Sequence, residues 1–255
     1  MLSKQRQNLI VQMIRDTGSV QVKELSSHFS VTPDSIRKDL TLLQKKGLLR
    51  KTYGGAVAVP EENQDRYVAQ RKGKYMADKQ KIARRALGLL RDGDVVFLDI
   101  STVNIELAKM LRTAGSSVTV VTNMIEVMLA MSEDEHNKLL FIGGTFSEGR
   151  GGFTGAVTNR QIAQYRFDVA LLGVVGVDAE RNAVMTYTAD DAATKAVVLA
   201  QSRRSYMLLE ARKLERGASC IYARLEDFEG AVVNAPLPEA QQEKLAEHGV
   251  KLLIS

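Results

Sequence analysis

Over the first fifty-eight positions, apolar residues recur at helical spacing in three short blocks. Leu9, Ile10, Met13 and Ile14 share one face of a first predicted helix, and Asp16-Thr17-Gly18-Ser19 breaks the period. Val22, Leu25 and Phe29 mark a short second helix. Thr32-Pro33 opens a third, because threonine is a good N-cap and proline fits the first helical turn, where its missing N–H would have no intrahelical partner. On this helix Ile36, Leu40 and Leu43 form the apolar stripe, Asp34, Lys38, Thr41 and Lys45 fall opposite, and Ser35 and Arg37 flank them. Gly47 ends the pattern behind Lys45 and Lys46, cations that a helix C-terminus favours. The run over 48–59 turns on Gly54-Gly55 and predicts a β-hairpin, or wing. Three helices and a wing predict a winged helix-turn-helix, whose second paired helix enters the major groove while the first braces it.

A proline and a polar cluster over 59–67 interrupt the pattern, and a helical period resumes over 77–90. The expected organisation is therefore a DNA-binding domain at 1–58, a linker at 59–75 and a second domain at 76–255. In the second domain, short apolar runs rich in β-branched residues predict strands at 95–99, 118–123, 139–144, 168–174, 205–210, 231–234 and 251–254. Helical patterns at 104–111, 124–131, 159–165 and 191–201 alternate with several of them. Buried strands alternating with helices predict an α/β fold with a doubly wound parallel sheet. Ligands of such sheets sit at the carboxyl ends of strands.

Four predicted strand ends carry polar or glycine clusters: Asp99, Ser101, Thr102 and Asn104; Thr122 and Asn123; Gly143 and Gly144; Gly173, Gly176 and Asp178. In the first, hydroxyls and the unpaired N–H groups of a helix start would hold a phosphate. No Gly-x-Gly-x-x-Gly opens a helix after the first strand, and there is no Gly-Lys-Ser/Thr, which excludes the usual dinucleotide and nucleoside triphosphate motifs. The glycine-rich stretch 149–155 reads as a mobile loop able to act as a lid.

Charge sharpens the contrast between the halves. Residues 1–58 hold ten Lys/Arg and four Asp/Glu, net +6, whereas residues 59–255 hold twenty-five and twenty-six, net −1. The basic excess belongs to the first domain, and a phosphate backbone is its natural partner. At 255 residues and 45% hydrophobic, the chain can build a sizeable second core. The single cysteine, Cys220, excludes an intrachain disulfide and fits a core position, while His28, His136 and His248 lack ligand spacing. No metal or cofactor is expected. No apolar run is long enough for a membrane span or signal segment, so a cytoplasmic protein is expected.

The stretch from "RQNLIVQMI" through "VKELSSHFSVTPDSIRKDLTLLQKKGLLRKTYGGAV" resembles the N-terminus of the DeoR family of bacterial transcriptional regulators. The shared mark is the recognition helix, here Ser35-Ile36-Arg37-Lys38-Asp39-Leu40, followed by a basic wing ending in Gly-Gly. Serine stands at 35 where members more often have threonine. The resemblance implies that Thr32, Ser35, Arg37 and Lys38, with Lys51 and Tyr53 of the wing, meet double-stranded operator DNA. It also implies a C-terminal domain similar to sugar-phosphate isomerases, sensing a phosphorylated sugar. The landmarks are "KIARRA", "FLD", "VVTN", "FIGG", "LLGVVGVD" and the helix of Asp191-Ala192-x-x-Lys195.

Three landmarks depart from the family pattern. Asp-x-Gly-Thr-Thr is here Asp99-Ile100-Ser101-Thr102-Val103, Glu-Ala is Asp191-Ala192, and Asp-x-Ser-Lys-Phe is Glu210-Ala211-Arg212-Lys213-Leu214. Lys213 is the retained cation, expected to reach the phosphate. The implied protein is a repressor of a carbohydrate catabolic operon, working as a homodimer or homotetramer. The competing reading is an isomerase- or deaminase-like enzyme carrying a DNA-binding domain, with Asp99, Asp178, Glu180 and Asp191 as available bases. Sensing is favoured, since it needs the pocket but no tuned base.

Overall fold

Thr32 does cap the third helix, its hydroxyl accepting the Ser35 N–H at 3.3 Å, in the computed structural model, which describes residues 3–58, 67–147 and 149–255. The chain forms two units, Met1–Lys74 and Tyr75–Ser255. In the first, α1 (Ser3–Thr17), α2 (Val22–Phe29) and α3 (Pro33–Lys45) bury Ile10, Ile14, Leu25, Ile36, Leu40 and Leu43 against one another. The apolar stripe predicted for the third helix is thus the buried one. Ser30, at the end of α2, takes the left-handed conformation (φ 52) that turns the chain into α3.

The wing consists of β2 (Arg50–Thr52) and β3 (Gly55–Val57), paired antiparallel, with β1 (Ser19–Gln21) added on the far side of β3. The sequence pattern did not predict β1. Its three residues bury only Val20, too little for a period to register. Of the expected linker, 59–66 lie outside the described residues. Beyond them α4 (Val68–Arg71) is part of the first unit: Val68 is buried and Gln70 donates its side-chain amide to the Gly47 carbonyl.

The second unit runs α5 (Met76–Leu87), β4 (Val95–Leu98), α6 (Thr102–Leu111), β5 (Thr119–Thr122), α7 (Ile125–Met131), β6 (Lys138–Phe141), β7 (Thr145–Ser147), β8 (Gly152–Thr154), α8 (Ala156–Ile162) and β9 (Phe167–Gly173). It continues with β10 (Gly176–Asp178), β11 (Ala183–Thr186), α9 (Ala189–Ala200), β12 (Ser202–Leu209), β13 (Cys220–Ala223), β14 (Gly230–Val233), α10 (Glu239–Glu247) and β15 (Lys251–Ile254). Seven strands make a parallel sheet in the order β15-β14-β12-β9-β4-β5-β6. Phe97, Val121, Phe167, Leu172, Met207 and Val233 are fully buried along it, as the β-branched and aromatic runs required.

The chain winds outward from β4 to β6, returns to place β9 on the other side of β4, and winds outward again. The reversal between β4 and β9 is a topological switch point, where the carboxyl ends of adjacent strands open a crevice. Two smaller sheets flank this order: the hairpin β7-β8 and the antiparallel β10-β11-β13. Cys220 lies half-buried on β13, at the margin and not in the core. Among the described residues, no helix is long and apolar enough to cross a membrane, and no cluster of three His, Cys, Asp or Glu is placed to hold a metal ion.

Candidate functional site

The outward face of α3 carries the residues expected to meet DNA. Arg37 Nη1 donates to Asp34 Oδ1 at 2.6 Å, with both side chains exposed. Lys38 and Thr32 are exposed, and Ser35 is half-buried beside Thr32, their hydroxyls 3.0 Å apart. Lys51 ties the wing to this helix: its N–H donates to Gln44 Oε1 at 2.8 Å and its Nζ to Thr41 Oγ1 at 2.9 Å. Tyr53, at the hairpin turn, is fully exposed.

Asp39, in the same helix, plays a different part. It is 3% exposed and accepts from Arg6 Nε at 2.6 Å, Gln7 Nε2 at 2.8 Å and Ser3 Oγ at 3.1 Å. Burial pushes its carboxyl pKa up, but these hydrogen bonds and the Arg6 charge outweigh burial and hold it below the ordinary aspartate value. Sequence reasoning passed over it, though an acid next to Ile36, Leu40 and Leu43 was itself a signal of a buried partner.

In the second unit, the switch point is filled by a charged network. Asp99, following β4, accepts from the Gly173 N–H at 3.0 Å and Asn104 Nδ2 at 2.8 Å through Oδ1, and its Oδ2 pairs with Lys195 Nζ. Lys195 also donates to the Gly173 carbonyl at 2.8 Å. Gly173 leaves no room for a side chain, since a Cβ there would lie 2.3 Å from Ser101 Oγ. One helical turn before Lys195, Asp191 accepts from Arg150 Nη2 at 2.9 Å and from the Thr186 hydroxyl. The Arg150 guanidinium lies over the Tyr187 ring, and Lys195 Nζ lies 5.5 Å from the Tyr222 ring centroid.

Burial raises the Asp99 pKa, the Lys195 charge and the Gly173 N–H oppose that rise, and the Asp191 charge adds to it; the net direction is upward. Burial, with the charges of Asp99 and Asp191, pushes the Tyr222 phenol far above its ordinary value, so it stays a neutral hydroxyl.

The other expected residues have separate duties. Ser101 Oγ accepts the Val103 N–H at 3.2 Å and caps α6, with Thr102 buried as the first helical residue. Thr122 donates to the Leu98 carbonyl at 2.7 Å, and Asn123 Nδ2 donates to the Phe153 carbonyl at 2.7 Å. Gly143 accepts from Thr158 Oγ1 at 2.9 Å, and Gly144 (φ 145) leaves that threonine its space. Gly176 and Asp178, expected at a strand end, belong instead to β10. A Cβ at Gly176 would strike the Arg216 carbonyl, and Asp178 accepts the Arg181 N–H at 3.0 Å. Lys213 is buried, pairing with Glu210 at 2.8 Å and donating to the Val174 carbonyl at 3.0 Å.

The glycine-rich stretch is docked, not free. Ile125 donates to the Gly151 carbonyl and Phe153 to that of Asn123, both at 2.9 Å, while Gly151 and Gly152 allow contact too close for any Cβ. Arg150, Thr186, Tyr222 and the fully buried Lys79 escaped the sequence reading. For Arg150 the signal was a cation inside a glycine run; nothing comparable marked the others.

A winged helix-turn-helix together with an α/β unit charged at its switch point defines a two-part regulator, one part for DNA and one for a ligand. A model described as the DeoR-like helix-turn-helix domain matches residues 6–62, and one described as the DeoR C terminal sensor domain matches residues 74–235. The chain belongs to the DeoR family of transcriptional regulators. It is 28% identical over 252 residues to the glycerol-3-phosphate regulon repressor of Escherichia coli (strain K12), covering 99% of each chain. It is 29% identical over 231 residues to the transcriptional repressor AccR of Agrobacterium fabrum, covering 91% of this chain and 89% of that protein. Among solved structures, ribose 5-phosphate isomerase A of Methanocaldococcus jannaschii is similar over 53% of each chain, with a TM-score of 0.39 and 18% identity.

Proposed function

We propose that the chain represses a carbohydrate catabolic operon in the cytoplasm, and that a phosphorylated sugar bound at the switch point of its second unit changes its affinity for operator DNA. The observation that carries the reading is the outward face of α3, where Arg37 and Lys38 stand exposed and Thr41 and Gln44 hold the wing in place. Thr32, Ser35, Lys51 and Tyr53 complete the proposed DNA surface. Its two relatives described above are repressors, one of a glycerol-3-phosphate regulon, which supports both the direction of control and the ligand class.

The proposed effector site centres on Asp99, Asn123, Asp191 and Lys195, with Lys213 one residue along from Gly173 through the Val174 carbonyl. A role without catalysis is supported by the state of the four carboxylates that could serve as bases. Asp99 pairs with Lys195, Asp191 with Arg150, Asp178 with Arg181 and Glu180 with Lys244. Each is thereby engaged as an ion-pair partner instead of standing free to take a proton from a substrate.

Binding of the full chain to DNA fragments from upstream of neighbouring catabolic genes, titrated with hexose, pentose and triose phosphates, tests the proposal. A saturable, sequence-dependent complex whose affinity shifts with one of these sugars is expected. Binding of all fragments alike, with no sugar effect, would refute it.

A further inference from the structure

Around the Asp99–Asp191 network, five buried polar atoms have no hydrogen-bond partner among the described residues: Arg150 Nε, Asn123 Oδ1, Asn104 Oδ1, Glu126 Oε2 and Tyr222 Oη. Asn104, Asn123 and Arg150 are 0%, 2% and 7% exposed. Leaving such groups unpaired is costly, and a cluster of them indicates something absent that would pair with them.

The fold brings their carriers together. Asn123 follows β5 and Glu126 lies in the first turn of α7, while Arg150 precedes the segment docked on both. The Glu126 carboxylate presses on Gly151, where a Cβ would sit 2.7 Å from Oε2. Three of the other side chains are fixed by a second polar atom, Arg150 Nη2 on Asp191, Asn123 Nδ2 on the Phe153 carbonyl and Asn104 Nδ2 on Asp99, and the Tyr222 ring lies against Lys195 Nζ. The unpaired atoms are therefore held in place, which is the condition for reading a ligand's geometry.

Their chemistry selects the ligand group. Arg150 Nε–H donates, the two amide oxygens and Glu126 accept, and the Tyr222 hydroxyl does either. Both nearby cations are already paired, Lys195 with Asp99 and Arg150 with Asp191. A phosphate would add negative charge beside three carboxylates. Neutral hydroxyls, each donor and acceptor at once, satisfy the set without adding charge.

We infer that Arg150, Asn123, Glu126 and Tyr222 form the hydroxyl-reading end of the effector site, taking vicinal hydroxyls of a sugar or polyol while the phosphate is held outside this group. This rests on the sensing role proposed above and adds Arg150, from the glycine-rich segment, as a specificity-determining residue.

Calorimetry on the full chain tests it with glycerol 3-phosphate, ribose 5-phosphate and fructose 6-phosphate, and with inorganic phosphate as the probe lacking carbon-borne hydroxyls. Two variants are compared with the parent. Arg150→Lys keeps a cation near Asp191 but loses the fixed Nε–H, and Glu126→Ala alters a half-buried side chain that folding can spare. The expected result is that the parent binds at least one polyol phosphate and that each folded variant binds it at least five-fold more weakly. The response to inorganic phosphate, binding or none, stays that of the parent. A smaller loss in Glu126→Ala overturns the inference and leaves the sensing role standing, as does an equal loss for inorganic phosphate. A parent that binds none of the three polyol phosphates overturns both.

Discussion

Asp39 and Arg37 sit two positions apart on α3 and face opposite environments, so one residue type positions the helix while the other is available to DNA. The Asp39 carboxylate joins α3 to α1 through Arg6, Gln7 and Ser3. Asp39→Asn should cost the first unit roughly 1.5–3 kcal/mol at neutral pH, the value of hydrogen bonds to a charged group. Because the folded pKa lies below the unfolded one, this stabilisation is complete above the ordinary aspartate pKa and is lost as pH falls through the lowered folded value. Amide exchange of α1 and α3 in the full chain should therefore show a parent-to-variant gap that closes in acid; a gap independent of pH would disprove the ionic role. Arg37→Ala should weaken operator binding by about 1–3 kcal/mol and relax base preference, as for loss of a bidentate contact to guanine. Lys51→Ala should lower affinity for all sequences and flatten the salt dependence. Fluorescence anisotropy across a salt series separates the two, and wild-type curves from both variants would remove this surface from the DNA contact.

At the scale of elements, the wing depends on two adjacent glycines for different reasons. Gly54 turns the hairpin at φ +81, a conformation that costs a residue with a Cβ about 1–2 kcal/mol. Gly55 lies against β1, where a Cβ would come 2.1 Å from the Val20 carbonyl oxygen. Gly55→Ala should thus detach β1 from β3 and reduce operator affinity more than Gly54→Ala does, with exchange protection of the β1 and β3 amides as the direct readout; equal effects would show that the backbone approach is dispensable. The Gly-Gly pair was legible as a turn in the sequence, and so were the seven long apolar strands, because each carries its signal within a few residues. What was not legible is non-local or very short. β1 is three residues long and is a strand only because the distant β3 pairs with it, while β7, β8 and β10 pair locally but are too short for a period of two to register. Asp99 and Lys195 were each identifiable at their motifs, but their pairing spans 96 positions, and Arg150 meets Asp191 across 41. Gly176 and Asp178 were misplaced because a strand that leaves the main sheet for a small antiparallel one has the same local pattern as a strand end.

For the whole molecule, the assignment of DNA reading to one unit and sensing to the other makes separable demands. A helix-turn-helix of this type reads repeated half-sites through symmetric pairs, so an oligomer of even order is expected. Light scattering that found a monomer with full operator affinity would exclude it. The sharper case is Lys213. The Glu210 carboxyl is pushed up by burial, yet the charges and hydrogen bonds of Lys213 and Arg212 outweigh this and hold its pKa below the ordinary glutamate value. Lys213 is thus built into the sensor unit against the Val174 carbonyl, one residue beyond Gly173, and far in sequence from α3. Breaking a buried pair commonly costs about 3–5 kcal/mol. Here Arg212 still faces Glu210 at 2.9 Å, so Lys213→Ala should lower the melting temperature of the sensor unit without unfolding it. In anisotropy titrations of an operator fragment, this variant should match the parent within about two-fold when no sugar is present, since each tenfold needs 1.4 kcal/mol and no DNA contact has changed. With the effective sugar phosphate added, most of the parent's shift should disappear, because a charge-assisted contact of roughly 1.5–3 kcal/mol is about ten- to a hundred-fold in ligand affinity. An undiminished shift would limit Lys213 to holding Glu210, and a loss of operator binding without sugar would mean that the sensor unit is needed for DNA binding itself.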